Sequence, residues 1–251
     1  MVVGTPPPVG RIALVAGGAR GIGRTIALDL ARTGWAVAFC YRTSEEAARE
    51  TRAAIEATGA RALAVRADVS EALVAAGLVR EVEEAWGRID ALIHCAGPFR
   101  RVELLQETPE GWREMFEGNL HSLFYLSQAV APGMLARGWG RIVAFGLASA
   151  DQLSAQPNLT AYYLAKVGVL GLVRALARAL APHGVTVNAV SPGLIDSGST
   201  PRAELEAMVP RIPAGYVGSV DDAVAATRFL LSEEARYVTG TNIHVSGGWG
   251  I

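Results

Sequence analysis

Ile12-Ala13-Leu14-Val15-Ala16-Gly17-Gly18-Ala19-Arg20-Gly21-Ile22-Gly23 is the stretch whose reading decides the fold of this chain. Its first five residues are a short apolar run of the kind a buried strand needs. The run passes straight into glycines and then into a helical pattern over residues 22–33. Glycines in that place allow a tight turn, let backbone approach a pyrophosphate, and let helix pack closely on strand. The helix start adds unpaired amides and the positive end of a dipole, both suited to phosphate. Glycine clusters also mark ordinary turns, so the argument rests on position, after the first strand and before the first helix. Gly17, Arg20, Gly21, Ile22 and Gly23 are therefore candidate dinucleotide contacts.

Outward from this segment, short apolar runs alternate with amphipathic ones. Residues 36–41, 62–67, 91–95, 142–145, 185–190 and 242–245 read as further strands, and 44–58, 73–86, 112–137, 162–181 and 220–231 as further helices. Strands alternating with helices imply crossover units, and strands apolar throughout imply a sheet covered on both faces. The expected fold is α/β, a Rossmann-type doubly wound parallel sheet of about seven strands with helices on both faces. Gly34, Gly59 and Gly184 stand where left-handed helix ends are wanted, and Asp221 and Asp222 open the last helix. Residues 1–10, with Pro6, Pro7 and Pro8, are expected to be a flexible leader, and 11–251 a single dinucleotide-binding and catalytic domain.

Composition narrows the function. With 251 residues, 51% of them hydrophobic, and a net charge of −1, the chain can build one substantial core and lacks the basic excess of a nucleic-acid or anionic-membrane binder. No apolar stretch of membrane-spanning length and no signal-peptide pattern is visible, so a cytoplasmic protein is expected. Cys40 and Cys95 lie in apolar segments and read as small core residues; neither a disulfide framework nor metal-ligand spacing is seen, and no metal is expected.

The end of the second strand bears on cofactor choice. An acid there would bind a ribose 2′-hydroxyl and favour NAD, but the chain has Tyr41-Arg42-Thr43-Ser44, with no acid until Glu45. Arg42, backed by Arg20 and the hydroxyls of Thr43 and Ser44, suits a 2′-phosphate, so NADP(H) is expected over NAD(H). Further along, Tyr162 and Lys166 stand four residues apart, on one helix face. A nearby ammonium should lower the tyrosine pKa, letting Tyr162 exchange a proton with a carbonyl or alcohol during hydride transfer. Tyr163 is a competing tyrosine, but Tyr162 alone is in register with Lys166.

Taken with the glycine loop and this pair, Asp68-Val69, Cys95-Ala96-Gly97, Asn119, Asn188-Ala189-Val190-Ser191-Pro192-Gly193, Val238-Thr239-Gly240 and Val245-Ser246-Gly247-Gly248 occur in an order that resembles the short-chain dehydrogenase/reductase family. The resemblance is strongest to its 3-oxoacyl-[acyl-carrier-protein] reductase-like branch and covers residues 10–249. It implies that Asp68 and Val69 flank the adenine, Ala96 and Gly97 line the cofactor cleft, and Lys166 holds the nicotinamide ribose. It further implies Ile195, after Pro192 and Gly193, at the carboxamide, Ser197 near the phosphates, and Asn119 holding a water that relays protons from Lys166. The implied substrate is a small-molecule carbonyl or alcohol, on acyl carrier protein if it is a 3-oxoacyl thioester, and the implied assembly is a homotetramer.

Departures from the family pattern matter. A serine is usual just after the fifth strand, and that position holds Leu147; counting back from Tyr162 lands on Ser149, which implies a short insertion between 148 and 160. Ser149 is the expected catalytic serine, with Asp151 and Ser154 as other polar candidates. His94 replaces an asparagine and reads as a strand-end histidine bonded to backbone. Residues 196–216 fall where the family builds a substrate lid, with Tyr216 in place of a frequent basic residue. Arg137 and Arg141 are candidates for a carrier-docking patch, or scattered surface arginines. Two readings follow: an active NADP(H)-dependent carbonyl reductase, favoured by Tyr162, Lys166 and Asn119, and a catalytically weakened dinucleotide-binding sensor or subunit, favoured by Leu147.

Overall fold

Every strand expected from the apolar runs forms, within two residues of its predicted bounds. The computed structural model describes residues 10–198 and 200–250, so the leader, except Gly10, lies outside the described residues. In chain order the elements are β1 (Ile12–Ala16), α1 (Gly21–Arg32), β2 (Ala36–Tyr41), α2 (Glu45–Glu56), β3 (Ala62–Arg66), α3 (Ala72–Trp86), β4 (Ala91–His94), α4 (Pro109–Phe116), α5 (Ser122–Arg137), β5 (Gly140–Phe145), α6 (Thr160–Leu180), β6 (Val185–Pro192), β7 (Ile195–Asp196), α7 (Arg202–Met208), β8 (Gly218–Ser219), α8 (Val220–Leu231) and β9 (Asn242–Val245).

Seven strands join in the order β3-β2-β1-β4-β5-β6-β9, all parallel; β7 and β8 form a separate two-stranded ribbon. Successive side chains of β1 go to opposite faces. Ile12, Leu14 and Ala16 join the core under α3, α5 and α6, whereas Ala13 and Val15 join that under α1, α2 and α8. Both faces are thus dry, which is why the strands read as continuous apolar runs. From β1 the chain winds outward one way and from β4 the other. The crevice between their carboxyl ends is the switch point where open α/β sheets bind ligands.

The helix expected over 112–137 is a correction. It is broken into α4, a π turn at Glu117–His121, and α5. The turn widens around Asn119, whose Nδ2 donates to the Met115 carbonyl four residues back, supplying in side-chain form a bond that a π turn withdraws from the backbone. Thr108 caps α4 by accepting from the Gly111 amide at 3.0 Å, and Ser219 and Asp222 form a capping box on α8.

Arg141 is also not a surface arginine. Only 2% exposed, it lies at the amino end of β5, stacked 4.4 Å from the Trp139 ring centroid, with the Arg11 guanidinium 4.3 Å from the same ring. Glu233, just past α8, pairs with Arg11, sits 3.6 Å from Arg141 Nη2 and accepts from Trp139 Nε1 at 3.2 Å. Arg137 is tied to the Ile89 carbonyl and Asp90. Arg141 is thus too buried to join the docking patch for which both were candidates, whereas Arg137 stays at the surface with its side chain 28% exposed. Among the described residues no helix is long and apolar enough to cross a membrane, and no group of His, Cys, Asp and Glu could hold a metal ion.

Candidate active site

A cleft of about 720 Å³ opens at the carboxyl ends of the strands around the switch point. The β1–α1 turn contributes Gly17, Arg20, Gly21, Ile22 and Gly23 to its lining; the ends of β2 and β3 contribute Arg42, Thr43, Asp68 and Val69. Ala96 and Gly97 follow β4, Asn119 comes from the π turn, Tyr162 and Lys166 from α6, and Pro192 and Ser197 from the far side. Three other expected residues do not line it. Gly193 lies against Ser246, Ile195 pairs with Gly218 in the ribbon, and Ser149 is buried in the turn after β5 beside Gly250.

The turn is built by close approach. A Cβ on Gly23 would fall 2.3 Å from the Gly17 carbonyl oxygen, so α1 can begin this near β1 only without a side chain there. The Gly17 and Gly18 amides are spent on the Cys40 carbonyl, at 3.1 and 3.2 Å. Arg20, the residue preceding α1, makes no side-chain cap, so the first-turn amides of the helix are left to face an anion. This cradle, with Arg42 and Asp68 further along the cleft, fits a nicotinamide dinucleotide.

Lys166 is 5% exposed and its Nζ donates to the Phe145 carbonyl at 2.7 Å. Burial pulls its pKa from 10.5 to about 8. The ammonium sits 5.6 Å from the Tyr162 ring centroid, but the expected lowering of the tyrosine is not found: burial pushes Tyr162 from 10.0 up to about 12. Desolvation outweighs a cation that is itself desolvated and turned to a backbone oxygen. The edge of one ring meets the face of the other between Tyr162 and Phe99, with centroids 5.0 Å apart at 88°. Tyr163 does not line the cleft. It is 3% exposed, and its hydroxyl is bound to the Gln152 carbonyl and accepts from the Ser154 amide at 3.1 Å.

Asn119 is fully buried, and its Nδ2 also donates to the Pro98 carbonyl at 3.0 Å. Its Oδ1 has no hydrogen-bond partner among the described residues. The fit is close on the cleft side, where a Cβ on Gly97, at φ +152°, would fall 2.2 Å from that oxygen. The His94 ring also makes a side-chain contact that its place at a strand end did not reveal. Its Nε2 lies 2.8 Å from Ser122 Oγ, whose own proton goes to the Gly118 carbonyl at 2.7 Å, so Nε2 is the donor. Burial first, and the Lys166 charge second, push this histidine down to about 3, so it is neutral at pH 7.

Phe145, Gly146, Cys95, Pro98 and Gly118 also line the cleft and were not expected to. For Phe145 a signal existed, since the last residue of a strand beside the switch point has its carbonyl at the cleft. Cys95 is not simply a core residue, being half-buried on the cleft wall; Cys40, which reaches the cleft from the end of β2, is buried, and both are free thiols. Leu147 packs partly buried against the hydrophobic core. Over the lid region, α7 is exposed apart from buried Leu205 and half-buried Met208, and Tyr216 is exposed.

Comparison with known proteins agrees with this geometry. A family model described as enoyl-(acyl carrier protein) reductase matches residues 17–250. The 3-oxoacyl-[acyl-carrier-protein] reductase FabG of Staphylococcus aureus is 38% identical over 239 residues, covering 94% of this chain and 96% of that protein. The Pseudomonas aeruginosa FabG is 36% identical over 242 residues, 95% and 97% of the two chains. Among solved structures, a Sinorhizobium meliloti 1021 protein assigned as a short-chain alcohol dehydrogenase superposes with a TM-score of 0.89 at 34% identity, covering 96% of this chain and 97% of that one.

Proposed function

Because the chain belongs to the short-chain dehydrogenase/reductase family, in its 3-oxoacyl-[acyl-carrier-protein] reductase-like branch, we propose that it is an NADP(H)-dependent reductase of a 3-oxoacyl thioester, with Tyr162 as proton donor. The observation that carries this reading is that Tyr162 and Lys166 line the same cleft as the anion-binding turn. Bound NADPH would supply a hydride to the substrate carbonyl carbon. First-turn amides of α1 would hold the pyrophosphate, Arg42 and Thr43 the 2′-phosphate, and Asp68 and Val69 the adenine. Tyr162, pushed up to about 12, keeps its proton at pH 7 and gives it to the carbonyl oxygen as charge develops there. Lys166 steadies the resulting phenolate and returns a proton to it. Asn119 Oδ1, a buried acceptor without a donor among the described residues, is suited to hold the water that resupplies Lys166.

The relatives are 3-oxoacyl reductases, which favours the ketone, whereas the matching family is named for enoyl reduction, so both substrates belong in the test. NADPH oxidation is expected with an acetoacetyl thioester and not with a crotonyl thioester. Tyr162→Phe should lower kcat by about 10²–10⁴-fold. Preference for the crotonyl thioester, or a Tyr162→Phe protein as active as the parent, would refute the assignment. The weakened-catalysis reading is favoured by one observation: Phe145 and Gly146 line the cleft, but Ser149 does not. If Ser149 nonetheless steadies the carbonyl, Ser149→Ala should cost about 10²–10³ in kcat; an unchanged kcat would remove it from the site.

The carrier and the assembly are part of the same proposal. A homotetramer through α5 and α6 is supported by the exposed Phe124 and the apolar groove lined by Leu120, Tyr125 and Leu172. A cytoplasmic setting is in keeping with the free thiols.

A further inference from the structure

Arg42, the residue read as the 2′-phosphate ligand, does not stand alone on the rim of the cleft. Its Nη1 lies 3.9 Å from Asp68 Oδ2 and its Nη2 3.9 Å from Glu114 Oε1. Glu114 is on α4, across the adenine end of the cleft mouth. Its second oxygen lies 3.8 Å from Arg100 Nη1, and the same nitrogen lies 3.7 Å from Glu107 Oε1. Asp68, Arg42, Glu114, Arg100 and Glu107 thus form a row of alternating charge, with three carboxylates against two guanidiniums.

A phosphate gains most from a guanidinium when it takes two N–H groups at once. Both terminal nitrogens of Arg42 already face carboxylates, so one of these must yield. Asp68 is the fixed one, because its Oδ1 accepts from the Ser70 amide at 3.1 Å and the Ser70 hydroxyl at 2.7 Å. Among the described residues Glu114 has two long ion pairs, and its side chain is half-exposed. Resting on the NADP(H) reading of Arg42, we infer that Glu114 is a specificity-determining residue that competes with the 2′-phosphate for Arg42 and so lowers the preference for NADP over NAD. NAD has an uncharged hydroxyl at that position and is nearly indifferent to Glu114. Arg100 acts in the opposite sense by drawing Glu114 away and offsetting its charge.

The size of the effect follows from Coulomb's law. A carboxylate about 6 Å from a phosphate of charge near −2, in a high-dielectric, salt-screened setting, weakens binding roughly three- to ten-fold. The experiment is calorimetric titration of NADP⁺ and NAD⁺ into the full chain and its variants. Glu114→Gln should tighten NADP⁺ about three- to ten-fold and change NAD⁺ by less than about two-fold, with the gain shrinking as salt is raised. Arg100→Gln should weaken NADP⁺ and spare NAD⁺. If Glu114→Gln leaves the NADP⁺/NAD⁺ ratio unchanged or lowers it, the inference is wrong. A general folding defect would weaken both nucleotides alike, and the sign with Arg100→Gln then decides. Arg42→Ala separates the two levels of argument. If it leaves the ratio unchanged, the reading of Arg42 falls and this inference with it. If it collapses the ratio while Glu114→Gln fails to raise it, only the role of Glu114 falls.

Discussion

Lys166→Met should make the cofactor-free protein more stable at neutral pH while removing its activity. Lys166 is buried against the Phe145 carbonyl, and its pKa falls from 10.5 to about 8. That depression corresponds to about 3 kcal/mol of unfavourable free energy for keeping the ammonium in the folded state below pH 8. Between the two values the unfolded chain binds a proton that the folded chain does not, so stability rises with pH through this window and the penalty is gone by about pH 10.5. Methionine fills a similar volume without charge. It forfeits the hydrogen bond to Phe145, worth about 1 kcal/mol and leaving that oxygen unpaired. The net expectation is a gain of about 1–2 kcal/mol at pH 7 that becomes a loss of about 1 kcal/mol near pH 10.

Urea unfolding of both proteins at several pH values, followed by tryptophan fluorescence, measures this directly. Tyr162 and Cys40, pushed up to about 12 and about 11, also titrate at the alkaline end. They do so in both proteins, and the difference between the two curves isolates Lys166. A variant less stable than the parent by the same margin at every pH would mean that the site welcomes the ammonium, and the argument from desolvation would be refuted.

Other perturbations test separate parts of the site. Tyr163→Phe should cost about 1–2 kcal/mol of stability, since it unties the 152–154 segment, yet leave kcat within a few-fold, in contrast to Tyr162→Phe. An equal loss of activity in the two variants would contradict the division of roles. Gly97→Ala places a Cβ 2.2 Å from Asn119 Oδ1 at a φ of +152°, and should destabilise the fold by about 1–3 kcal/mol in thermal unfolding; a change below about 0.5 kcal/mol would show that Asn119 is loosely held. Phe99→Ala removes the ring that packs perpendicular to Tyr162 and should lower kcat/KM about three- to ten-fold with dinucleotide affinity unchanged, while Phe99→Tyr retains most of the activity.

Most of the scaffold was legible because a sheet buried on both faces leaves an unambiguous trace, a run of apolar residues between polar helices. The glycine turn and the Tyr162–Lys166 register could be read for a similar reason, as both are local. What escaped depends on contacts made across the fold. The π turn shifts the helical phase by a single residue, which the pattern over 112–137 does not reveal; it becomes intelligible once Asn119 is seen bonded to both Met115 and Pro98. Arg141 was misjudged because a charged residue is expected outside, whereas here two aromatic and acidic neighbours receive it. The direction of the Tyr162 shift was misread because spacing reports the nearby ammonium but not the depth at which both groups lie.

The stack of Arg11, Trp139 and Arg141 closed by Glu233 has a mechanical consequence. It joins the amino ends of β1 and β5, strands that lie on either side of β4 and therefore span the seam at which the winding reverses. The two halves of the sheet are thus riveted at the end away from the cleft. The seam is held along its length as well, by the β1–β4 ladder from Ala13 and Ala91 to Ala16 and His94 and by the β4–β5 ladder from Ala91 and Arg141 to His94 and Ala144. A sheet fixed at both ends of its seam leaves the adjustment to a ligand to the loops beyond the strands' carboxyl ends, with strand register kept throughout.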